Sequence, residues 1–232
     1  IRSDQTLPPS HYGRYFAQPD GGTSHFSVID RHGNAVACTE TINLTFGSFV
    51  VVPQFGIILN NQMDDFAANP GQPNAFGLIQ SAANAVAPGK KPLSSMTPTI
   101  VLRDGRAVLA CGASGGPRII SATTQTLLNH LVFGLSAQNA VSAARFHHQW
   151  SPNELLLEPV LDQALHESMT LRGHSVRRAG ELAAAQAVLR SVISEPPGMI
   201  EVSGGSDPRK HGRPAGLDQV LSSRSEASQP LE

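Results

Sequence analysis

The order of segments along this chain predicts a mixed α/β fold, an antiparallel sheet with helices packed on its faces. Two strand-like pairs fold about tight turns, one at Arg31-His32-Gly33-Asn34 and one at Asp104-Gly105. A stretch rich in Gly, Pro, Ala and Asn (67–93) lies between them, and helical spacing begins only after Gly115-Gly116. Hairpins followed by helices suit antiparallel sheet better than a parallel βαβ array.

Each segment has its own justification. Residues 1–22 carry adjacent prolines and a closing Asp-Gly-Gly with no sustained period, and read as an extended linker. SHFSVID and AVACTETIN read as strands, and FVVVPQFGIILN as strand broken at Pro53-Gln54. The length and composition of 67–93 predict a lid, a binding loop or disorder. PTIVLRDGRAVLACGAS gives two further strands. Leu127, Leu128, Leu131 and Val132 at helical spacing predict a helix over 119–133, with others over 136–144, 160–172 and 179–190. The Gly- and Ser-rich composition from Ser203 predicts a partly loose segment, and 218–232 a loose tail. The body between linker and tail, 23–217, is expected to be one domain.

Composition excludes several classes. The 232 residues are 40% hydrophobic and 15% charged, enough apolar matter for a sizeable core. Seventeen Lys+Arg against 18 Asp+Glu leave a net charge of -1, without the basic excess needed to coat nucleic acid or an anionic membrane. No stretch reads as a bilayer span, because polar residues interrupt even the uncharged run 119–144. The opening IRSDQ does not read as a signal peptide. Cys38 and Cys111 are too few for a disulfide framework or a four-thiolate zinc site, and they leave the redox compartment open.

Some residues have chemistry to offer. Thr23 follows Gly21-Gly22, where the backbone can bend and leave the preceding carbonyl uncrowded. A hydroxyl there can attack that carbonyl, and cleavage would leave Thr23 with an α-amine of pKa about 7.7–8.0, a base for its own hydroxyl. The same residue alone also fits an ordinary strand start. Asn43 falls on the strand face of Thr41. Gly112-Ala113-Ser114-Gly115-Gly116 joins a strand to a helix and exposes N–H groups toward negative charge, but matches neither GxxxxGK[ST] nor GxGxxG. Asp64-Asp65 lacks the spacing of a calcium loop. His147-His148, read as adjacent on a helical turn, point apart and suit structure better than a metal.

The ordered segments resemble the small subunit of the γ-glutamyltranspeptidase family, within the N-terminal nucleophile hydrolases. The resemblance runs through Thr23–Val28, Gly33–Val36, Thr39–Asn43, Gly56–Phe66, Lys91–Thr99, Gly115-Gly116, Arg145–Trp150 and Ser206–Lys210, so it covers about 23–216. It implies an αββα sandwich of two stacked, mostly antiparallel sheets. It further implies autocleavage at Gly22-Thr23, with Thr23 as nucleophile and Thr41 orienting it. Gly115 and Gly116 would form the oxyanion hole. Asn43, Gln62 and Asp65 would hold a substrate α-amine, and Ser94 and Ser95 its α-carboxylate. Phe76 matches a lid position where some relatives carry an aromatic gate, and otherwise reads as a lone loop hydrophobe.

The implied reaction is γ-glutamyl transfer from glutathione-like donors to water or to an amino acid or peptide, with no cofactor and no metal. The implied partner is a large subunit from the same precursor, supplying a carboxylate-binding arginine, and the implied location is periplasmic or secreted. With 22 residues ahead of Thr23, the chain resembles an uncut precursor piece, expected to be nearly inactive alone. Two other readings stand beside this one: a related acylase acting on β-lactam side chains or poly-γ-glutamate, and an inactive light-chain-like binding protein.

Overall fold

A computed structural model describes residues 22–193 and 199–216. Apart from Gly22, the expected linker lies outside the described residues, as does the 218–232 tail. The described chain forms two compact units, one built from 22–24 and 40–94, the other from 25–39 and 95–216.

A hairpin of β1 (Thr23–Ile29) and β2 (Ala35–Thr41) opens the fold, its Thr23 and Thr41 ends counting with the first unit. Asp30 makes its turn, accepting from the N–H groups of His32 and Asn34 at 2.8 Å each. The rest of the first unit has little regular structure. β3 (Val51–Val52) and β4 (Ile57–Ile58) form a minimal antiparallel pair across the expected break at Pro53. Single 3₁₀ turns cover Gln62–Asp65 and Ala82–Asn84. The expected loop over 67–93 is otherwise without helix or strand.

In the second unit, β5 (Thr99–Arg103), β6 (Arg106–Ser114), β10 (Ala184–Ile193) and β11 (Met199–Ser206) form an antiparallel sheet in the order β11-β10-β6-β5. β5 and β6 turn at Asp104-Gly105 as the sequence predicts. Helices α1 (Arg118–Leu131) and α2 (Ala137–Ser142) pack on one face, Ile119, Ala122, Ala137 and Val141 meeting Leu109, Cys111, Ala113, Ala185, Ala187 and Leu189. Leu109 is wholly buried, worth about 1.5–3 kcal/mol for a side chain of its size. Burial pushes the Cys111 thiol up to about 12. On the opposite face His25 of β1 lies over Gly112, where an added Cβ would stand 2.3 Å from the ring. This stacks the hairpin on the sheet. A small sheet of β7 (Phe146–His147), β8 (Leu155–Leu157) and β9 (Val176–Arg178), with α3 (Gln163–Leu171), completes the unit; β8 and β9 run parallel.

Three expectations are corrected. The helix expected over 179–190 is instead the strand β10. Alanine favours helix, but 184–189 pair with β6 on one side and 186–193 with β11 on the other, and small side chains let both helices approach. The segment from Ser203, expected loose, includes the end of β11, where Gly205 lies so close to α2 that a Cβ would meet the Ala137 carbonyl at 2.3 Å. His147 lies on the short strand β7 rather than on a helical turn.

Four charged side chains knit the second unit together. Arg145 binds Asp207 at 2.6 Å, Asp207 binds Arg209 at 2.9 Å, and Arg209 binds Glu158 through Nε at 2.7 Å. The carboxylates also accept backbone N–H groups: Glu158 from Arg145 and Leu182, at 2.9 Å each, and Asp207 from Ala185 at 2.7 Å. Arg145 is 2% exposed and Asp207 1%, so neither charge has water to fall back on. Removing one partner of such a pair costs about 3–5 kcal/mol, against about 0–1 for a surface pair. Asp207→Leu is therefore expected to lower the urea unfolding free energy by about 3–5 kcal/mol. Glu154→Gln, which breaks the exposed 2.8 Å pair with Arg177, should lower it by less than about 1 kcal/mol.

Candidate active site

Gly22 and Thr23 enter the first unit under tight constraint. Gly22 has φ +118°, and a Cβ there would stand 2.8 Å from the Leu44 carbonyl oxygen and 2.9 Å from an Ile42 side-chain carbon. Only glycine meets both conditions. The Gly22 carbonyl accepts from the Ile42 N–H at 3.1 Å. Thr23, 6% exposed, brings its hydroxyl to 2.9 Å from that of Thr41. Thr41 Oγ1 also accepts from the Asn43 N–H at 2.8 Å, which fixes its rotamer.

The chain turns sharply at Asn43, whose φ of +73° lies in the left-handed region that asparagine tolerates better than most residues. Its amide donates to the Asn61 carbonyl at 3.2 Å, while Asn61 Oδ1 accepts from the Leu44 N–H at 3.0 Å. Asn61 thus couples the Thr41–Asn43 corner to the next turn, where Gln62 Nε2 donates to Asp65. Burial raises the Asp65 carboxyl above its ordinary 3.8, opposed by the Gln62 bond and reinforced by the neighbouring Asp64.

The loop after Asp65 is held by carboxamides. Asn84 and Gln80 both donate to the Asp65 carbonyl, at 2.7 and 3.2 Å. Asp64 accepts from the Ala75 N–H at 3.2 Å, and Phe76, half-buried, donates its N–H to Asn74 Oδ1 at 3.0 Å. Leu93, just ahead of Ser94 and Ser95, donates its N–H to Asn84 at 3.1 Å. Ser94 is exposed and Ser95 half-buried.

In the second unit Gly115 and Gly116 end β6 and lead into α1, with φ of +137° and +61°. A Cβ at Gly115 would collide with Ala183 at 2.7 Å. Ala183 is itself left-handed, φ +66°, and its carbonyl accepts from Arg145 Nη1 at 3.1 Å. The charged cluster therefore reaches the backbone that Gly115 packs against. Lys210 Nζ donates to Ser114 at 3.3 Å.

Hydrogen bonds thus join Thr23, Thr41, Asn43, Gln62 and Asp65 within the first unit. Ser94 and Phe76 belong to that unit as well, while Ser95, Gly115 and Gly116 belong to the other. Sequence reasoning gave no role to Asn61 and Arg145, which lie within the motifs of the resemblance, and missed Asn84 and Ala183. The asparagines at 60 and 61, just ahead of Gln62–Asp65, were the available signal for Asn61.

The histidines are held by neighbours. His147 Nδ1 lies 2.8 Å from Ser121 Oγ and Nε2 2.9 Å from Gln149 Oε1, and His148 Nε2 lies 3.0 Å from Asn153. His25 lies 2.8 Å from both Thr39 Oγ1 and Ser27 Oγ, and burial lowers its pKa from 6.5 to about 4. With a lowered folded pKa, its stabilisation is complete above pH 6.5 and is lost as pH falls from 6.5 toward 4. His25→Gln should flatten the pH dependence of unfolding free energy over that window, read by urea titrations at several pH values; an unchanged slope would place the acid sensitivity elsewhere.

The family model for γ-glutamyltranspeptidase matches residues 1–217. The glutathione hydrolase proenzyme of Escherichia coli (strain K12) is 46% identical over 187 residues, 81% of this chain and 31% of that protein. That of Pseudomonas sp. (strain A14) is 42% identical over 193 residues, 82% of this chain and 34% of that protein. The chain therefore spans about a third of the length of these relatives. A solved structure of a mutant γ-glutamyltranspeptidase from Helicobacter pylori superposes with a TM-score of 0.77 at 39% identity, covering 81% of this chain and 100% of that one. Family model, relatives and fold agree, and the chain belongs to the γ-glutamyltranspeptidase family.

Proposed function

We propose that this chain carries the catalytic machinery of a γ-glutamyltransferase and glutathione hydrolase, with Thr23 as its nucleophile. The observation that carries the reading is the hydrogen-bonded path from the Thr23 hydroxyl through Thr41, Asn43 and Asn61 to the turn bearing Gln62 and Asp65. The path supports this reading because the Thr23 hydroxyl, Gln62 and Asp65 share one unit.

Maturation comes first. The Thr23 hydroxyl attacks the Gly22 carbonyl, which the Ile42 N–H polarises. The C–N bond to Thr23 breaks, the resulting ester is hydrolysed, and Thr23 gains a free α-amine. That amine then takes the hydroxyl proton as Thr23 attacks the γ-amide carbonyl of the donor. The N–H groups of Gly115 and Gly116 serve the tetrahedral oxyanion, a contribution of about 3 kcal/mol per donor in such sites. The proton passes to the leaving amine, leaving a γ-glutamyl ester on Thr23, which water or an acceptor amine resolves. Asn43, Gln62 and Asp65 accept from the donor ammonium, with Asp65 as counter-charge, and Ser94 and Ser95 donate to its α-carboxylate.

The glutathione hydrolase relatives support glutathione-like donors over β-lactam side chains, poly-γ-glutamate or a purely binding role. A large subunit from the same precursor completes the site, and the exposed Phe49, Phe55, Ile57 and Met63 offer it apolar surface, Phe55 being 75% exposed. Phe76 sits on the lid. By resemblance to its glutathione hydrolase relatives we assign the protein to the periplasm or the exterior. No described helix is long and apolar enough to cross a membrane.

Intact mass and N-terminal sequencing of the full-length precursor test the maturation step. Parent protein should yield a fragment beginning at Thr23, whereas Thr23→Ala should stay uncut; cleavage of that variant at the same bond would refute the assignment. Asp65 must be ionised to hold an ammonium, and its carboxyl is raised. KM for a γ-glutamyl anilide should therefore rise as pH falls, beginning at a higher pH than an ordinary aspartate would give. Asp65→Asn should raise KM by about tenfold or more, as expected for loss of a charged partner, and abolish that acid limb.

A further inference from the structure

Asn84 takes no part in the chemistry above, yet its two amide atoms join the segments that bear both halves of the donor subsite. Its Nδ2 donates to the Asp65 carbonyl at 2.7 Å and also to Gln80 Oε1, while its Oδ1 accepts from the Leu93 N–H at 3.1 Å. Its backbone carbonyl accepts from the Ala67 N–H at 2.9 Å, which closes the neck of the loop. Lys90 Nζ closes the following turn, donating to the Ala85 carbonyl at 3.0 Å. The side chain is half-buried.

We infer that Asn84 is a positioning residue that sets the spacing between the Asp65 carboxylate and Ser94, both in the first unit, and so favours donors carrying an amine and a carboxylate on one carbon. The inference rests on the proposed reading of these residues as the donor subsite. Its physics is simple. Ammonium and carboxylate on one carbon have a fixed separation, so the groups that bind them need a matching fixed separation. Here those groups lie on different parts of a long loop, with no sheet ladder holding them in register. A carboxamide donates and accepts from one head group, so Asn84 can hold the Asp65 carbonyl and the Leu93 N–H together. An aspartate there keeps the acceptor for Leu93 but has no donor for the Asp65 carbonyl.

The test compares parent, Asn84→Asp and Asn84→Ala, each made as full-length precursor and assayed after maturation. Three anilide donors are used: γ-glutamyl, glutaryl (no α-amine) and 4-aminobutanoyl (no α-carboxylate). Both substitutions should raise KM for the γ-glutamyl donor about tenfold, the worth of a hydrogen bond or two, with kcat within about twofold. For the other two donors kcat/KM should change by less than about twofold, because a donor with one of the two groups does not sense their spacing. Equal losses on all three donors would show a general scaffold role and overturn the inference, as would no change on the γ-glutamyl donor. Parent protein that fails to turn over the γ-glutamyl donor would overturn the reading of the site itself, and this inference with it.

Discussion

Residues 42–94 have two strands of two residues each and two 3₁₀ turns, so regular structure cannot satisfy most of their backbone polar groups. Groups withdrawn from water without a partner cost about 1–3 kcal/mol each. The chain meets this constraint with side-chain amides and carboxylates. Asn43 and Asn61 fasten the corner after β2, Asn74 binds the N–H groups of Phe76 and Leu78, and Asn84 and Gln80 gather at the Asp65 carbonyl. Because these bonds use defined atoms at defined angles, they fix positions as well as satisfy them. The proposed donor subsite is built on this framework.

The second unit solves its positioning problem with charge. Its sheet and helices supply a dry core of small side chains, but the start of β10 carries a left-handed alanine at 183 that no ladder would hold. Arg145 grips the Ala183 carbonyl, and Glu158 and Asp207 take the N–H groups of Leu182 and Ala185 on either side. Gly115 then packs on Ala183 with no room for a side chain. Four charges withdrawn from water are tolerated because each meets an opposite charge and most also meet backbone groups. Their arrangement shapes the backbone beside the proposed oxyanion donors.

Much of this was legible in the sequence. Alternating hydrophobicity with Asp-Gly and Gly-Asn turns marked both hairpins, and helical spacing marked α1 to within two residues at each end. The residues proposed for chemistry sat in recognisable motifs, of which Thr23, Thr41 and Asn43 are bonded in sequence. What failed was whatever depends on distant partners. Ala184–Ile193 looks helical until β6 and β11 are known to flank it. Arg145 and Asp207 lie far apart in the chain, and nothing local announces that they meet. Asn84 looked like one more polar residue in a long loop, since its importance lies in which carbonyl and which N–H it reaches.

The proposed catalysis turns on a covalent bond between Thr23 and the donor's γ-glutamyl group. The direct measurement is a rapid acid quench of the matured enzyme during turnover of a γ-glutamyl anilide, followed by proteolysis and peptide mass mapping. A γ-glutamyl ester on the peptide that begins at Thr23, decaying when an acceptor amine is added, is the predicted result. An adduct on any other residue, or turnover at full rate by a matured protein whose Thr23 hydroxyl has been removed, would contradict it.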